Sequence, residues 1–344
     1  MIHRVSIGDY LDRMNQLPVV DVRSPSEYAK GHIPGAFNIP LFSDEERAGI
    51  GKEYKKRNRD SAILLGLKMV RPHMIAMVEQ AHKVARESSL LLYCWRGGMR
   101  SENMALLFRV AGIHCEILDE GYRAYRRLLR KSFEQSMKLI ILGGFTGSGK
   151  TEILNRLQSQ SQQIIDLESI AHHKGSAFGG IGQKIQPTCE QFENNLFAHW
   201  QTLDPALPVW LEDESKAIGS VFIPDELFHQ MKGKPVIKID MDFDLRVNRL
   251  EREYATFPPE QLKDAVIRIR KRLGEENARI ALDAIARSQF TKAIELSLSY
   301  YDKTYGYGLN RRDPQTIHTI CLHGDNPDEN ANHILAFAKK NYLV

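Results

Sequence analysis

The chain has 344 residues, a formal net charge of +4, 42% hydrophobic residues and 26% charged residues. These values exclude a disordered or strongly basic chain, and the length predicts two globular domains. Four widely spaced cysteines without a CxxC pair argue against a disulfide framework or a zinc site, and predict a reducing, cytoplasmic setting. The sequence predicts neither a secretory leader nor a membrane-spanning run.

The first part of the chain alternates predicted strands with predicted helices. Short apolar runs predict strands, whereas apolar residues at helical spacing predict helices. This alternation predicts an α/β domain with a doubly wound parallel sheet over residues 1–120. The predicted order is strand PVVDVR (18–23), a Gly- and Pro-rich structured loop (24–41), helix 60–87, strand SLLLYC (89–94), helix GGMRSENMALLFRVAG (97–112) and strand HCEILDEGY (114–122).

A basic helical segment, residues 121–137, is predicted to link this domain to a second doubly wound domain over residues 138–344. Three of the four strands predicted in the second domain end in acidic residues, and its C-terminal part is predicted to be helical. The predicted order is strand KLIIL (138–142), loop GGFTGSGKT (143–151), strands QQIIDLES (162–169), PVWLEDES (208–215) and KPVIKIDMD (234–242), helices over 243–300 and a terminal helix over 326–341.

Cys94 ends a predicted buried strand and precedes a glycine-rich turn and a helix. Backbone amides of such a turn form an anion-binding nest, and their positive field favours the nucleophilic thiolate. A buried structural cysteine is the alternative, which the paired glycines and arginines disfavour. We therefore predict a catalytic Cys94 in an anion loop formed by Trp95, Arg96, Gly97, Gly98, Met99 and Arg100.

The segment GGFTGSGKT fits the pattern GxxxxGK[ST] between a predicted strand and a predicted helix, which is the context that a phosphate-binding P-loop requires. Backbone amides would cradle a diphosphate, Lys150 would reach its terminal charge, and Thr151 could hold a magnesium ion. The motif indicates a phosphate ligand without identifying a nucleotide, and no tightly bound cofactor is predicted. The predicted diphosphate-binding residues are Gly144, Thr146, Gly147, Ser148, Gly149, Lys150 and Thr151.

Further polar residues are candidates for a second part of the phosphate site. The acidic group after the strand PVWLEDES would hold magnesium or act as a base, with a solvated turn as the equal alternative. Arginines at three-residue spacing after residue 243 would clamp phosphates, or would pair with Glu251 and Glu253 on a solvated face. The segment 166–180 predicts a mobile loop that contacts substrate. The candidates are Glu168, His172, His173, Ser176, Glu212, Asp213, Glu214, Arg246 and Arg249.

Two basic clusters at helical spacing, with tyrosines grouped over residues 300–307, suit a structured RNA. Arginine and lysine bind its phosphates, and unpaired bases stack on aromatic rings. A solvated helix face is the alternative for each cluster taken singly. The candidate RNA-binding residues are Arg123, Arg126, Arg127 and Arg130 in the first cluster and Arg268, Arg270, Lys271 and Arg272 in the second.

The first domain resembles a rhodanese domain. The segment VVDVRSPSEYAKGHIPGAFNIP (19–40) is similar to the early motif of that family, and YCWRGGMRS (93–101) is similar to its active-site loop. The resemblance implies transfer of sulfur or another chalcogen through the cysteine. Arg100 lies six positions after Cys94, a spacing typical of cysteine phosphatases, whereas many rhodanese loops use five. A sulfurtransferase, or a cysteine phosphatase fused to a P-loop small-molecule kinase, therefore stays open as an alternative.

The whole chain, a rhodanese-like domain joined by a basic helix to a P-loop NTPase-like domain, closely resembles the bacterial tRNA 2-selenouridine synthases. CWRGGMRS (94–101), GGFTGSGKT (143–151) and LESIAHHKGSAFGG (167–180) carry the resemblance. It implies that 2-thiouridine at the wobble position of tRNA is S-geranylated by geranyl diphosphate, and that selenium from selenophosphate then replaces the sulfur.

This resemblance also implies roles and partners. The P-loop would bind the diphosphate, and Cys94 would carry selenium as a selenosulfide or assist attack on the geranylated base. The implied partners are a tRNA that carries 2-thiouridine at the wobble position and an enzyme that produces selenophosphate, and no membrane partner is expected.

Overall fold

The computed structural model describes residues 3–341 and 343–344. It divides into two compact units, Met1–Ser132 and Phe133–Val344. Each unit is built around a five-stranded parallel sheet, which confirms the predicted α/β class. The division falls within the helix Tyr122–Glu134, for which the sequence predicts a linking role.

The sheet of the first unit has the strand order β1-β5-β4-β2-β3. In the central strand β4 (Ser89–Tyr93) the four residues after Ser89 are largely apolar and buried, as expected where helices cover both faces of a parallel sheet. The elements are β1 (His3–Val5), α1 (Ile7–Arg13), β2 (Val19–Asp21), α2 (Pro25–Lys30), β3 (Phe37–Asn38), α3 (Asp44–Lys56), α4 (Arg59–Val70), α5 (Met74–Val84), β4 (Ser89–Tyr93), α6 (Met99–Val110), β5 (His114–Leu118) and α7 (Tyr122–Glu134).

The segment 24–41, for which the sequence predicts a loop, contains the short helix α2 and the two-residue strand β3. Ser24 and Glu27 form a capping box, and Pro25 occupies the first helical position. Both features stabilise a helix start without apolar periodicity, which explains why the pattern of apolar residues did not predict the helix.

One described stretch, Arg59–Val84, has a length of 26 residues, and the mean hydropathy of its most apolar 18-residue window is 1.3, which would allow a membrane crossing by length and composition alone. It comprises α4, a 3₁₀ turn that contains Pro72, and α5. Only 17% of its most apolar window is buried. Met77 and Ala81 nevertheless lie in the core of the first unit, so α5 packs on the sheet through one face. Length and composition are weak indications of a membrane span where a helix packs in this way.

The sheet of the second unit has the strand order β12-β11-β6-β8-β7, and β9 pairs with β10 as a separate antiparallel hairpin. The elements are β6 (Leu139–Gly144), α8 (Lys150–Ser159), β7 (Gln163–Ile165), α9 (Leu167–Ala171), α10 (Cys189–Trp200), β8 (Val209–Glu212), β9 (Ala217–Ile218), β10 (Val221–Phe222), α11 (Asp225–Lys232), β11 (Val236–Met241), α12 (Phe243–Tyr254), α13 (Pro259–Leu273), α14 (Glu275–Ala286), α15 (Phe290–Leu309), β12 (Ile317–Leu322) and α16 (Pro327–Lys340).

Two of the apolar cores among the described residues of the second unit bear on the site. One lies between the sheet and the helices α8 and α16. The other lies among the four helices α12 to α15, which confirms the helical region predicted after residue 243. The central strand β6 delivers its carboxyl end into the P-loop, and the neighbouring strand β8 ends at Glu212. In a parallel sheet these ends lie on one edge, so the fold brings the acidic group to the P-loop.

Candidate functional site

Cys94 lies between the end of β4 and the start of α6 at Met99, as the sequence predicts. Its side chain is only 3% exposed, and its Sγ lies 3.3 Å from the Ser101 hydroxyl oxygen and 4.0 Å from the Gly98 carbonyl oxygen. The sulfur therefore sits at the floor of a loop that faces the N-terminal turn of a helix. Such a position favours negative charge on sulfur or on a bound anion.

Close backbone packing holds this loop in place. Gly97 has a φ of +64°, and a Cβ atom there would lie 2.5 Å from the Leu118 carbonyl oxygen. The amides of Tyr122 and Arg123, at the start of α7, donate to the carbonyls of Cys94 (2.9 Å) and Trp95 (3.1 Å). The loop and the start of α7 therefore form one hydrogen-bonded piece, and only glycine fits at position 97.

The two loop arginines have different surroundings. Arg96 is exposed, whereas Arg100 donates to the Glu27 carboxylate at 2.6 Å. Burial alone would raise the pKa of Glu27, but the hydrogen bond and charge of Arg100 outweigh it and lower that pKa. Glu27 belongs to the early motif, so the structure explains why that motif accompanies the cysteine loop. Trp95 (38% exposed) and Met99 (43% exposed) add an apolar rim.

Asp21 and Arg23, also from the early motif, form a buried ion pair at 2.6 Å. The Arg23 guanidinium carbon lies 4.0 Å from the centre of the Tyr122 ring, and the Nη2 group of Arg23 donates to the Gly31 carbonyl at 2.6 Å. These contacts link the end of β2 to the start of α7. The pair therefore supports the cysteine loop from below and is not itself exposed to a substrate.

The P-loop connects β6 to α8 as predicted. The Lys150 ammonium donates to the Gly144 carbonyl at 2.9 Å, and the Thr151 hydroxyl donates to Glu168 at 3.0 Å. The loop opens into a polar cavity of about 1560 Å³, its open mouth included. Gly144, Thr146, Gly147, Gly149, Lys150 and Thr151 line this cavity, whereas the Ser148 hydroxyl is buried and has no partner among the described residues.

The three acidic residues after β8 have three environments. Glu212 is fully buried; one carboxylate oxygen accepts from the Leu167 amide at 3.2 Å, and the other has no partner among the described atoms. Asp213 pairs with Arg312 at 2.5 Å. Glu214 lines the P-loop cavity. A solvated acidic turn is therefore wrong for Glu212.

Burial raises the pKa values of Glu168, Glu212 and Glu214, and repulsion between neighbouring carboxylates raises the latter two further. The charge of Lys150 opposes the shift at Glu168 and at Glu214. Carboxyl groups with raised pKa values are typical of sites that exchange protons or bind cations. These groups are suited to either role.

The residues at Thr151 fit a magnesium ion only with help from a ligand. The hydroxyl of Thr151 and the carboxylates of Glu168 and Glu214 are the hard oxygen donors that magnesium prefers. Within the described residues, no group of three or more His, Cys, Asp and Glu side chains is arranged as a metal centre. Magnesium commonly completes its shell with substrate phosphates, where it neutralises their charge.

The predicted arginine clamp separates into two roles. Arg246 is buried, pairs with Asp302 at 2.8 Å and donates to the Thr146 carbonyl at 3.2 Å, so it supports the P-loop from behind. The Arg249 guanidinium lies over the P-loop, about 3.1 Å from where a Cβ atom of residue 149 would be. It forms ion pairs with Glu152 and Asp325, and not with the predicted partners Glu251 and Glu253.

Only part of the loop 166–180 reaches the P-loop cavity. Ser176 lines it together with Lys174 and Gly175, and Lys174 pairs with Glu253. His172 directly follows the last residue of α9 and has a φ of +51°. It does not line the P-loop cavity. His173 is buried, and burial, followed by the charge of Arg268, lowers its pKa.

Sequence reasoning missed three residues that complete the P-loop site. The Tyr305 hydroxyl accepts from the Gly144 amide at 2.8 Å and donates to Asp213 at 3.2 Å. Tyr301 accepts from the Ala177 amide at 2.7 Å, and Arg312 pairs with Asp213. The grouping of tyrosines over residues 300–307 predicts base stacking, whereas the hydroxyls of Tyr301 and Tyr305 instead hydrogen-bond to the backbone of the phosphate site. Only their helical spacing of four residues signals a shared face.

The basic clusters lie on α7 and α13. Arg123, Arg127 and Arg130 are exposed, but Arg126 is buried, so it does not belong to the exposed face that the sequence predicts. The spacing could not reveal this because α7 also carries the buried Tyr122, Tyr125 and Leu129 of the same turns. On α13, Arg268, Arg270, Lys271 and Arg272 are all exposed, and Arg270 pairs with Glu275.

Replacing Glu212 with glutamine is expected to change the pH dependence of stability. The unfolded chain ionises this residue near its ordinary pKa of about 4.3, whereas burial and the neighbouring carboxylates raise that pKa well above its ordinary value in the folded protein. Wild-type stability therefore falls as pH rises above about 4.3, towards the raised folded-state pKa, and the neutral amide removes that loss. Urea unfolding at several pH values measures the difference in unfolding free energy between Glu212→Gln and the wild type. Hydrogen exchange in peptides from β8 checks the same difference at the strand that carries Glu212.

Glu226→Gln on the exposed side of α11 is the matched control, and its unfolding free energy should run parallel to that of the wild type at every pH. The stability gap between Glu212→Gln and the wild type should widen from acidic to neutral pH. A gap that narrows over this range would show that Glu212 is ionised in the folded protein.

Comparison with known proteins identifies both units. Residues 137–329 match the family model described as the tRNA 2-selenouridine synthase AAA domain. Residues 6–128 match the rhodanese-like domain. The first match covers the P-loop and its helices, and the second covers the cysteine loop.

Curated relatives named tRNA 2-selenouridine synthase align with most of the chain. The protein from Marinobacter nauticus is 33% identical, with 92% of this chain and 95% of the relative covered. A Sulfurovum protein is 33% identical over 95% of this chain and 96% of its own length. The Nitrosomonas europaea protein is 36% identical, with 70% of this chain and 64% of that protein covered. The chain therefore belongs to the tRNA 2-selenouridine synthase family.

Proposed function

We propose that this protein converts 2-thiouridine at the wobble position of tRNA to 2-selenouridine in two steps. Geranyl diphosphate first alkylates the thiocarbonyl sulfur, and selenium from selenophosphate then replaces the geranylated sulfur. The observation that carries the proposal is that one chain of this family has two loops suited to binding anions, each of which leads into the N-terminus of a helix. One loop holds Cys94 at a helix N-terminus, and the other holds Lys150 beside buried carboxyl groups.

In the first step, the thiocarbonyl sulfur attacks C1 of the geranyl group while the bond from C1 to the diphosphate oxygen breaks. The leaving diphosphate takes the electron pair, and N3 of the base loses its proton. Charge therefore develops on the diphosphate, where the P-loop amides and Lys150 are positioned to stabilise it. Glu214, which lines the same cavity, is the carboxyl group that we assign to accept the proton.

No nucleotide hydrolysis is needed in this scheme. The buried Glu212 has no place for an attacking water, since its one free oxygen is enclosed and its other oxygen holds the start of α9. A diphosphate leaving group, unlike a hydrolysed triphosphate, needs no positioned water.

In the second step, selenium forms a bond to C2 of the base, the bond from C2 to sulfur breaks and geranylthiolate leaves. Hydrolysis of the phosphorus–selenium bond releases phosphate. We assign selenophosphate to the nest formed by the Cys94 loop, with Arg96 at its open side. In this exchange the Cys94 thiolate bonds to C2 as geranylthiolate leaves, and it leaves in turn when selenium bonds to C2, so the thiolate is released unchanged.

We also propose that the substrate tRNA lies on the exposed arginines of α7 and α13, and that the protein acts in the cytoplasm with an enzyme that supplies selenophosphate. Arg123, Arg127 and Arg130 present one row of guanidinium groups. Phosphate contacts of this kind contribute affinity that is independent of sequence and weakens with salt.

The double replacement Arg127→Glu and Arg130→Glu is expected to weaken tRNA binding roughly tenfold or more at low salt. The slope of the logarithm of the binding constant against the logarithm of the salt concentration should also become shallower by about two. Two phosphate contacts are lost, and each contributes about one to that slope. Filter binding over a series of potassium chloride concentrations measures both quantities.

Lys339→Glu with Lys340→Glu, on the last turn of α16, is the control with the same change in charge. It should leave the salt slope near the wild-type value. If both double variants lost affinity equally, net charge and not the α7 face would be responsible.

The activity itself is tested by incubating thiolated tRNA with geranyl diphosphate and selenophosphate, then digesting the tRNA and analysing wobble nucleosides by mass. We expect geranylated thiouridine with geranyl diphosphate alone and selenouridine with both substrates. Selenouridine formed without geranyl diphosphate would contradict the two-step order. Phosphate release from a phosphoester without tRNA would favour the phosphatase and kinase alternative.

A further inference from the structure

A second cavity lies among the helices α12 to α15 and is almost entirely apolar. It is a narrow cleft that encloses about 470 Å³, its open mouth included. Its inner wall consists of Leu262, Ile285, Phe290, Ala293, Ile294 and Leu298.

This cleft adjoins the P-loop cavity, because five residues line both. Leu250 provides an apolar wall, and Ser176, Tyr254 and Tyr301 form a hydrogen-bonded group of hydroxyls at the junction. Thr146, from the P-loop itself, is the fifth shared residue. An anion site and an apolar cleft thus share one border.

Two hydroxyl groups that line the cleft are already engaged in hydrogen bonds, which restricts what the cleft can bind. The Ser297 hydroxyl donates to the Ala293 carbonyl at 2.8 Å, and the Ser176 hydroxyl accepts from the Phe178 amide at 3.2 Å. A nucleobase or a ribose would lose its hydrogen bonds with water in such a cleft without replacement, which is costly. A hydrocarbon chain would lose none and would gain from burial.

We propose that this cleft binds the hydrocarbon chain of the prenyl diphosphate, and that Phe290 and Ala293 at its inner wall set the chain length that the protein accepts. The inference rests on the proposed function and adds to it the place of the geranyl chain. The diphosphate lies on the P-loop, C1 lies at the border of the two cavities, and the chain runs between α13, α14 and α15.

Filling or enlarging the cleft tests this assignment. Ala293→Phe is expected to lower geranyl transfer at least about tenfold while transfer from the shorter dimethylallyl diphosphate is retained, because only the longer chain reaches the filled space. Phe290→Ala is expected to raise transfer from the longer farnesyl diphosphate. Each rate is measured on thiolated tRNA, and the affinity for inorganic diphosphate should equal that of the wild type.

Ala281→Phe is the matched control, since Ala281 is buried in the same helical core but does not line the cleft. It should weaken stability without changing the ratio of geranyl to dimethylallyl transfer. The cleft assignment would be overturned if Ala293→Phe kept the wild-type ratio of geranyl to dimethylallyl transfer and Phe290→Ala kept the wild-type ratio of farnesyl to geranyl transfer. The proposed function would still stand in that case. Absence of prenyl transfer by the wild type would overturn the proposed function. In that case, unchanged affinity of both variants for geranyl diphosphate would overturn the cleft assignment as well.

Discussion

Replacing Lys150 with alanine is expected to lower geranyl transfer by about 10²–10³-fold, as expected for loss of one preorganised group that stabilises a developing negative charge. The ammonium group lies at the mouth of the loop, 2.9 Å from the Gly144 carbonyl oxygen, and lines the P-loop cavity. Its charge interacts with Glu168 and Glu214, which line the same cavity. Single-turnover formation of geranylated tRNA measures the loss.

The same variant should still exchange selenium into tRNA that has been geranylated beforehand, because the Cys94 loop belongs to the other unit. Lys184→Ala, an exposed lysine of the same unit, should behave like the wild type in both assays. Geranyl transfer at the wild-type rate by Lys150→Ala would remove the P-loop from the reaction. Equal loss in both assays would indicate that the variant disturbs more than the diphosphate site.

Local signals predicted the two loops, whereas long-range contacts determined how each loop is supported. Cys94 and Lys150 each lie in one contiguous segment whose glycines and flanking strand and helix are visible in the sequence. Tyr305 and Arg312 contact the P-loop site from more than 90 residues away, through α15 and the chain that follows it. Nothing local distinguishes these two side chains from solvated ones.

Burial explains the other differences between the predicted and the observed site. Arg126 fits a basic helical face as well as Arg127, but the packing of α7 turns it inward. Arg246 and Arg249 share a helix face, yet Asp302 holds the first behind the P-loop while the second lies over it. Spacing in the sequence defines which residues share a face, and only the neighbouring elements decide whether that face meets solvent.

Replacing Cys94 with alanine is expected to abolish selenium incorporation, a loss on the order of 10³-fold or more, because the nucleophile of the second step is removed. The alanine side chain fits a site where the sulfur is already 3% exposed, so the loop should keep its fold. Geranyl transfer should continue at the wild-type rate, and geranylated tRNA should accumulate. Mass analysis of wobble nucleosides with both substrates present measures the two outcomes together.

Cys189→Ala is the control for loss of a thiol, since Cys189 is half-buried at the start of α10 and is far in sequence from either loop. Cys115 is a poorer control because burial raises its pKa to about 12 and its removal opens the core of the first unit. Cys189→Ala should produce selenouridine normally. Loss of both geranylation and selenation in Cys94→Ala would contradict the division of the reaction between two sites, whereas normal selenation would make Cys94 a structural cysteine despite its place at the helix N-terminus.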